Sequence, residues 1–172
     1  MLTFSSITGV ITRKDIDVTS EITEEYFGMQ NDPEQIPATK ENRDWVYKNC
    51  KDYINIIKDG NRIVGYAFCL PCNTKLMNEF VSGKITEAQL FKGIQKTNII
   101  KPTAIYYCSA VLKEKYRGKG LATQASIALL NKLTLQGKYK PPLFFWAYSN
   151  EGKNLLKKVA KLSGLELKMR KE

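Results

Sequence analysis

The sequence predicts a mixed α/β domain, a β-sheet covered by helices with at least one parallel strand pair. Three observations carry this. The chain has 172 residues, 43% of them hydrophobic, which is one domain's length and enough apolar side chain for a full core. The stretch "YINIIKDGNRIVGYAFCL" (53–70) sets two β-rich runs around Asp59-Gly60, the signature of a hairpin. From 103 to 169 the pattern runs strand, helix, strand, helix, strand, an order that needs helices crossing over a sheet.

Residues 2–13 alternate loosely and are expected to form a first strand. Helices are expected over 20–29 and 39–50, with Thr39 after Pro37 as the N-cap of the second. Gly65, inside the second hairpin strand, marks a close backbone approach or a bulge. Thr86-Glu-Ala-Gln89 reads as a capping box with Leu90, Phe91 and Ile94 on one face, so 73–101 holds one or two short helices. "TAIYYCSAVL" (103–112) is a strand, and 119–135 a helix with Leu121, Ala125, Ala128, Leu129 and Leu133 on one side. Pro141-Pro142 stop the chain, and "LFFWAY" (143–148), apolar at nearly every position, is expected as a strand buried on both faces. A helix over about 150–162 ends at Gly164, and "LELKM" (165–169) is a last short strand. The sequence contains no repeats and no low-complexity segment.

Composition excludes several chemistries. Histidine is absent, which removes Ser-His-Asp and Cys-His catalysis and the commonest metal ligand. The four cysteines, Cys50, Cys69, Cys72 and Cys108, are irregularly spaced for a disulfide framework and fit a reducing cytosol, so a cytoplasmic location is expected. Cys69-Leu-Pro-Cys72 has redox spacing but reads as a strand end with two unlinked thiols; a zinc site would need two more ligands, and no metal is expected. Neither a signal peptide nor a run of about 18 apolar residues is present. Net charge is +10, and its distribution is uneven: residues 1–111 sum to zero, while 112–172 hold 14 basic and 4 acidic residues. Residues 15–39 carry Asp15, Asp17, Glu21, Glu24, Glu25, Asp32 and Glu34 with no Lys or Arg. One end should attract anions and this segment cations.

The most informative stretch is "YYCSAVLKEKYRGKGLATQA" (106–125). A strand that feeds a helix through Arg117-Gly118-Lys119-Gly120 leaves unpaired N–H groups at the helix start, where they and the helix dipole favour an anion. Glycine lets a phosphate approach the backbone, and Arg117 and Lys119 add positive charge. Neither a P-loop nor a dinucleotide fingerprint is present.

These residues carry a resemblance. Arg117-Gly-Lys-Gly120-Leu-Ala122 resembles the (Arg/Gln)-x-x-Gly-x-(Gly/Ala) pyrophosphate loop of the GNAT superfamily of acetyl-CoA-dependent N-acetyltransferases. "DGNRIVGYAF" is similar to that family's preceding hairpin, and Ser149-Asn150 to the Asn that often follows its next strand. The match is close over 52–70 and 103–150, weaker to the end and poor over 1–50.

The resemblance implies a single GNAT-like domain over 1–172, with a mostly antiparallel sheet, one splayed parallel strand pair, helices on both faces and a helical insertion at about 73–102. Acetyl-CoA would be the acyl donor. Its pantetheine arm would pair with backbone near Ala110, Val111 and Leu112, and its pyrophosphate would rest on the amides of Gly118, Lys119, Gly120, Leu121, Ala122 and Thr123, flanked by Arg117; Asn150 would join the site. An amine would attack the thioester directly in a ternary complex. A lysine-like amine is neutral in about 1 molecule in 2,500 at pH 7, a penalty of roughly 4.6 kcal/mol that a base or a water chain would partly remove. The family's usual Tyr acid is missing from "NEGKNLLKKVAKLSGL", and Tyr148 is the substitute candidate. No carboxylate occupies 103–112, and core packing is the expected role of Tyr107 and Cys108. The insertion and the helices of 20–50 are expected to wall the acceptor pocket, the acidic segment favouring a cationic amine, small or borne on a protein. A homodimer is allowed, and no membrane or nucleic-acid partner is expected. The competing readings are a nucleic-acid-binding protein that uses the basic half and a GNAT-like acyl-CoA sensor without turnover.

Overall fold

The computed structural model describes residues 1–28 and 32–171. Among them six strands form one sheet in chain order: β1 (Leu2–Phe4), β2 (Ile54–Asp59), β3 (Arg62–Cys72), β4 (Ala104–Leu112), β5 (Leu143–Phe145) and β6 (Leu167–Met169). β1 to β4 pair antiparallel; β4 with β5, and β5 with β6, pair parallel. This is the expected mostly antiparallel sheet, with a second parallel pair at its end.

Helices cover both faces. On one side lie α2 (Arg13–Phe27), α3 (Lys40–Cys50), α4 (Thr74–Val81) and α5 (Glu87–Thr97), which bury Ile16, Ile22, Val46, Phe80, Leu90 and Phe91 against Ile56, Tyr66 and Tyr106 of the sheet. On the other, α6 (Leu121–Leu133) and α7 (Asn150–Ser163) bury Ala125, Leu129, Leu156 and Val159 against Ile57, Ala67, Ile105 and Phe145. Cys69 belongs to the second layer and Cys72 to the first, so strand alternation points their side chains to opposite sides of the sheet. Both are free, and their CxxC spacing is a by-product of a buried strand.

Two elements differ from expectation. The first strand is only Leu2–Phe4; the short helix α1 (Ser5–Thr8) follows, and α2 already begins at Arg13. Thr12 and Asp15 form a reciprocal capping box, which fixes the helix start inside the stretch whose loose alternation reads as strand. The helix expected over 20–29 is the second half of α2, and its residue 29 lies outside the described residues. The strand expected over 143–148 stops at Phe145. Trp146 and Tyr148 leave the sheet and stack on each other, with ring centroids 4.6 Å apart, while the Arg170 guanidinium packs over Trp146 at 4.6 Å and over Phe80 at 4.7 Å. Leu143, Phe144 and Phe145 are buried on both faces between β4 and β6, as expected, and the rest of the run feeds an aromatic and cationic stack.

The hairpin, the short helices within 73–101 and the caps at Thr39 and Thr86 are as read from sequence, while α4 is capped by Asn73. Thr39 caps α3 through Asn42 N, and Thr86 with Gln89 forms the capping box of α5. Gly65 is a close-approach site: a Cβ there would meet Leu112 Cδ2 at 2.5 Å and the Val111 carbonyl at 2.6 Å. The obstacle is partly backbone of β4. Gly65→Ala is therefore expected to cost about 2 kcal/mol and to lower Tm by roughly 4–8 °C, read by thermal unfolding.

Candidate active site

β4 and β5 are hydrogen-bonded neighbours for only two residue pairs, Ile105 with Leu143 and Tyr106 with Phe144. β4 continues to Leu112 with no partner on that side. Buried backbone polar groups need partners, so the stretch from Tyr107 to Leu112 offers an extended edge inside the molecule. One group there is already engaged: Arg117 Nε donates to the Leu112 carbonyl at 2.9 Å.

Where the strands part, β4 carries a bulge. Phe68 pairs with Ser109 and Cys69 with Tyr107, which leaves Cys108 as the extra residue. Alternation resets there. Tyr106 and Cys108 face the α2–α5 side, and Ser109 turns the same way to donate its hydroxyl to the Tyr66 hydroxyl at 3.2 Å.

Beyond β4 the chain passes a 3₁₀ turn at Glu114–Tyr116 and reaches the glycine turn. Gly118 has φ 72° and Gly120 φ 74°, left-handed values that favour glycine. The first helical bond is Gln124 N to Gly120 O, and Gly120 has no side chain to cap the helix. Among the described residues no side chain or loop carbonyl accepts from the amides of Gly118 to Thr123. Tyr116 anchors the turn by donating to Asp59 at 2.9 Å, and Tyr107 pairs with Ser126 at 2.5 Å, tying α6 to β4. A row of free amides thus meets the open end of the strand gap, flanked by Arg117, stacked over Tyr26, and by Lys119, over Tyr116.

A groove of about 450 Å³ fills the gap. Of the residues singled out from sequence, Ala110, Val111, Leu112, Arg117, Gly118, Ala122 and Tyr148 line it. Lys119, Gly120 and Leu121 form the turn between Gly118 and Ala122, and Thr123 follows them. Asn150 opens α7 and faces a neighbouring hollow beside Lys153, Arg170 and Lys171; Ser149 holds the groove-side position and caps α7 through Gly152 N.

A second, partly open chamber of about 140 Å³ lies on the α2–α3 side, and Phe27, Cys108, Ser109 and Tyr148 line both spaces. The bulge is therefore the junction between them. The chamber walls are apolar (Ile16, Ile36, Val46, Ile54, Phe68), with a few polar groups inside. Tyr66 is hydrogen-bonded to both Ser109 and Thr23, and burial pushes its hydroxyl up to about 12. Residues 73–102 contribute a single side chain, Glu87 at the start of α5, which is 3% exposed. Its Oε1 accepts from the Tyr106 hydroxyl at 2.6 Å and its Oε2 from the Ile36 amide at 3.2 Å. Burial raises the Glu87 carboxyl above the ordinary carboxylate range, only partly countered by those two hydrogen bonds and by Arg170. Tyr148 has a raised hydroxyl pKa, first from burial and then from the charge of Glu87, and stays protonated at neutral pH. Cys108 is raised for the same two reasons, so it remains a thiol and is not poised as a nucleophile.

Glu87 escapes a sequence reading focused on the cap. Its spacing carried a signal all the same: 87, 90, 91 and 94 share one helix face, so a carboxylate sits on the buried side with Leu90, Phe91 and Ile94.

Outside the chamber, Asp17, Glu21, Glu24 and Asp32 line an open basin of about 860 Å³ that shares Ser20, Glu24, Pro37, Ala38 and Arg43 with the chamber. Asp17 is held by Arg13 at 2.6 Å and Arg43 at 2.7 Å. Among the described residues, Glu21, Glu24 and Asp32 have no ion-pair partner, and Glu24 Oε2 is buried without a hydrogen bond.

A strand gap thus opens onto a glycine turn with free amides and meets a second chamber at a bulge. Residues 17–150 match the Acetyltransferase (GNAT) family, and the chain belongs to that family. A crystal structure of PH1933 from Pyrococcus horikoshii OT3 has a similar fold, with TM-score 0.52, 20% identity, and coverage of 92% of this chain and 87% of that one. No curated protein matches the sequence. Among the described residues no helix is long and apolar enough to cross a membrane.

The raised Glu87 carboxyl has a consequence for stability. A carboxyl whose folded pKa exceeds its unfolded value, about 4.3, stabilises the fold fully below that value and loses the contribution as pH rises through the folded pKa. The stability of the wild type relative to Glu87→Gln should fall as pH rises above about 4.3, measured by urea unfolding across a pH series.

Proposed function

We propose that this protein is an N-acyltransferase that moves an acetyl group from acetyl-CoA to a primary amine carrying positive charge. The observation that carries the reading is the row of amides from Gly118 to Thr123, free of protein acceptors at the mouth of the strand gap. A pyrophosphate supplies what those amides lack, and Arg117 and Lys119 add charge. Free backbone on β4 near Ala110 and Val111 would hold the pantetheine amides, placing the thioester at the bulge, where groove and chamber meet.

The acceptor enters from the other side. The basin carboxylates Glu21, Glu24 and Asp32 attract a cation, and an ammonium would give Glu24 Oε2 the donor it lacks. The apolar chamber then strips water from the amine and strengthens every electrostatic contact near the junction. Backbone N–H groups on the open edge of β4 would stabilise the oxyanion. Tyr148, protonated and at the junction, would give its proton to the departing sulfur, whose thiol pKa near 8.5 demands little help.

Acetyl-CoA at 100 times its Kd should add about 2.7 kcal/mol of stability and raise Tm by roughly 5–10 °C. Gly120→Ala, strained at φ 74°, should weaken that shift. No shift with acetyl-CoA, or an equal shift with RNA, would overturn the reading. Release of free CoA thiol with spermidine or a lysine peptide separates an enzyme from a non-catalytic binder. KM for such an acceptor should rise with salt, and should rise about 3–10-fold in Glu21→Gln/Glu24→Gln, in line with exposed charge pairs worth up to about 1 kcal/mol.

A further inference from the structure

We propose that Glu87, delivered by the insertion, is the proton acceptor for the attacking amine. The inference rests on the acyl-transfer reading and adds the group that β4 does not supply, since residues 104–112 contain no carboxylate. The geometry is direct. Glu87 lines the acceptor chamber, and Cys108, the bulge residue common to chamber and groove, lies beneath it with Sγ 4.0 Å from Oε1. Oε1 accepts from the Tyr106 hydroxyl and the Cys108 thiol, whereas Oε2, among the described residues, accepts from the Ile36 amide alone and keeps a lone pair for an incoming N–H. Glu24, the other carboxylate in the chamber, sits at the rim shared with the open basin, and so serves entry rather than transfer.

The titratable groups around Glu87 come from several elements: Tyr106 and Cys108 of β4, Tyr148 after β5, Arg170 after β6 and Asp32 in the segment before α3. Arg170 and the Tyr106 hydroxyl favour the charged carboxylate, whereas burial and Asp32 oppose it. The balance leaves a carboxylate more basic than one in water, which suits it to take a proton from an ammonium.

The ammonium gives one proton to Glu87, which passes it to solvent. The freed nitrogen lone pair forms the C–N bond at the thioester carbonyl. As the oxyanion collapses, the C–S bond breaks and its electron pair leaves on sulfur. Sulfur takes the Tyr148 proton, and Tyr148 recovers one from the second N–H of the intermediate.

The test compares wild type, Glu87→Gln and Tyr106→Phe by CoA thiol release, with spermidine and with hydrazine, an amine far weaker as a base than the primary amines of spermidine and so far more neutral at the same pH. Glu87→Gln should lose about 10²–10³-fold in kcat with spermidine, far less with hydrazine, and keep its acetyl-CoA thermal shift. The acidic limb of kcat/KM should vanish in Glu87→Gln. It should move to higher pH in Tyr106→Phe, because that hydroxyl lowers the Glu87 pKa. Equal losses for both amines, or an unchanged pH profile in both variants, would refute the assignment. A wild type with no acetyl-CoA shift would instead remove the acyl-transfer reading on which it stands.

Discussion

The separation of β4 from β5 after two residue pairs is the constraint on which the rest depends. Parallel strands normally continue pairing as long as both are extended, because every unpaired amide in the interior carries a penalty of order 1–3 kcal/mol. Here β5 gives up its partner at Phe144, whose ring packs on Tyr106 at 5.0 Å. The chain then turns outward, and Trp146 is held against Arg170 instead of against β4. The edge left open on β4 lines the groove between the two helical layers. The free amides of the glycine turn stand at the same end, likewise without protein acceptors among the described residues.

The uneven charge is put to separate uses. In α2, Asp15 is spent on Lys58 and Asp17 on Arg13 and Arg43, structural pairs that tie α2 to β2 and α3. The unpaired carboxylates Glu21, Glu24 and Asp32 gather at one mouth of the cavity system. Arg117, stacked on Tyr26 of α2, and Lys119 stand beside the free amides. Carboxylates and cations therefore gather at separate openings of the cavity system.

Sequence made the anion turn legible because its physics is local. Two glycines with positive φ, a helix start and flanking cations need no knowledge of the rest of the chain. The hairpin at Asp59-Gly60 and the capping box at Thr86 are legible for the same reason. The bulge at Cys108 is not, because no glycine or proline marks it; it exists only in the register between β3 and β4. The length of β5 is hidden because hydropathy cannot tell an aromatic pressed between strands from one stacked on a guanidinium. Thr12-x-x-Asp15 was readable as a cap but competed with an alternating pattern over the same residues, and the reciprocal hydrogen bonds decide in favour of the helix.

Glu87 ties these threads together. Burying a carboxylate costs several kcal/mol, and hydrogen bonds to a charged group return roughly 1.5–3 kcal/mol each. With two such bonds and Arg170 nearby, compensation falls short, and the carboxyl's pKa is raised rather than lowered. An apolar residue at 87 would pack on Leu90 and Phe91 without that cost, and local rules for an amphipathic helix call for one. Violations of this kind mark places where stability is given up for chemistry. Residues 73–102 therefore do more than cover the sheet: α5 holds an under-solvated carboxylate against the bulge, and Ile36, which holds its second oxygen, belongs to the wall of the same chamber. Open strand edge, chamber wall and buried carboxylate converge on residues 106–109 because one strand has lost its neighbour and gained one residue.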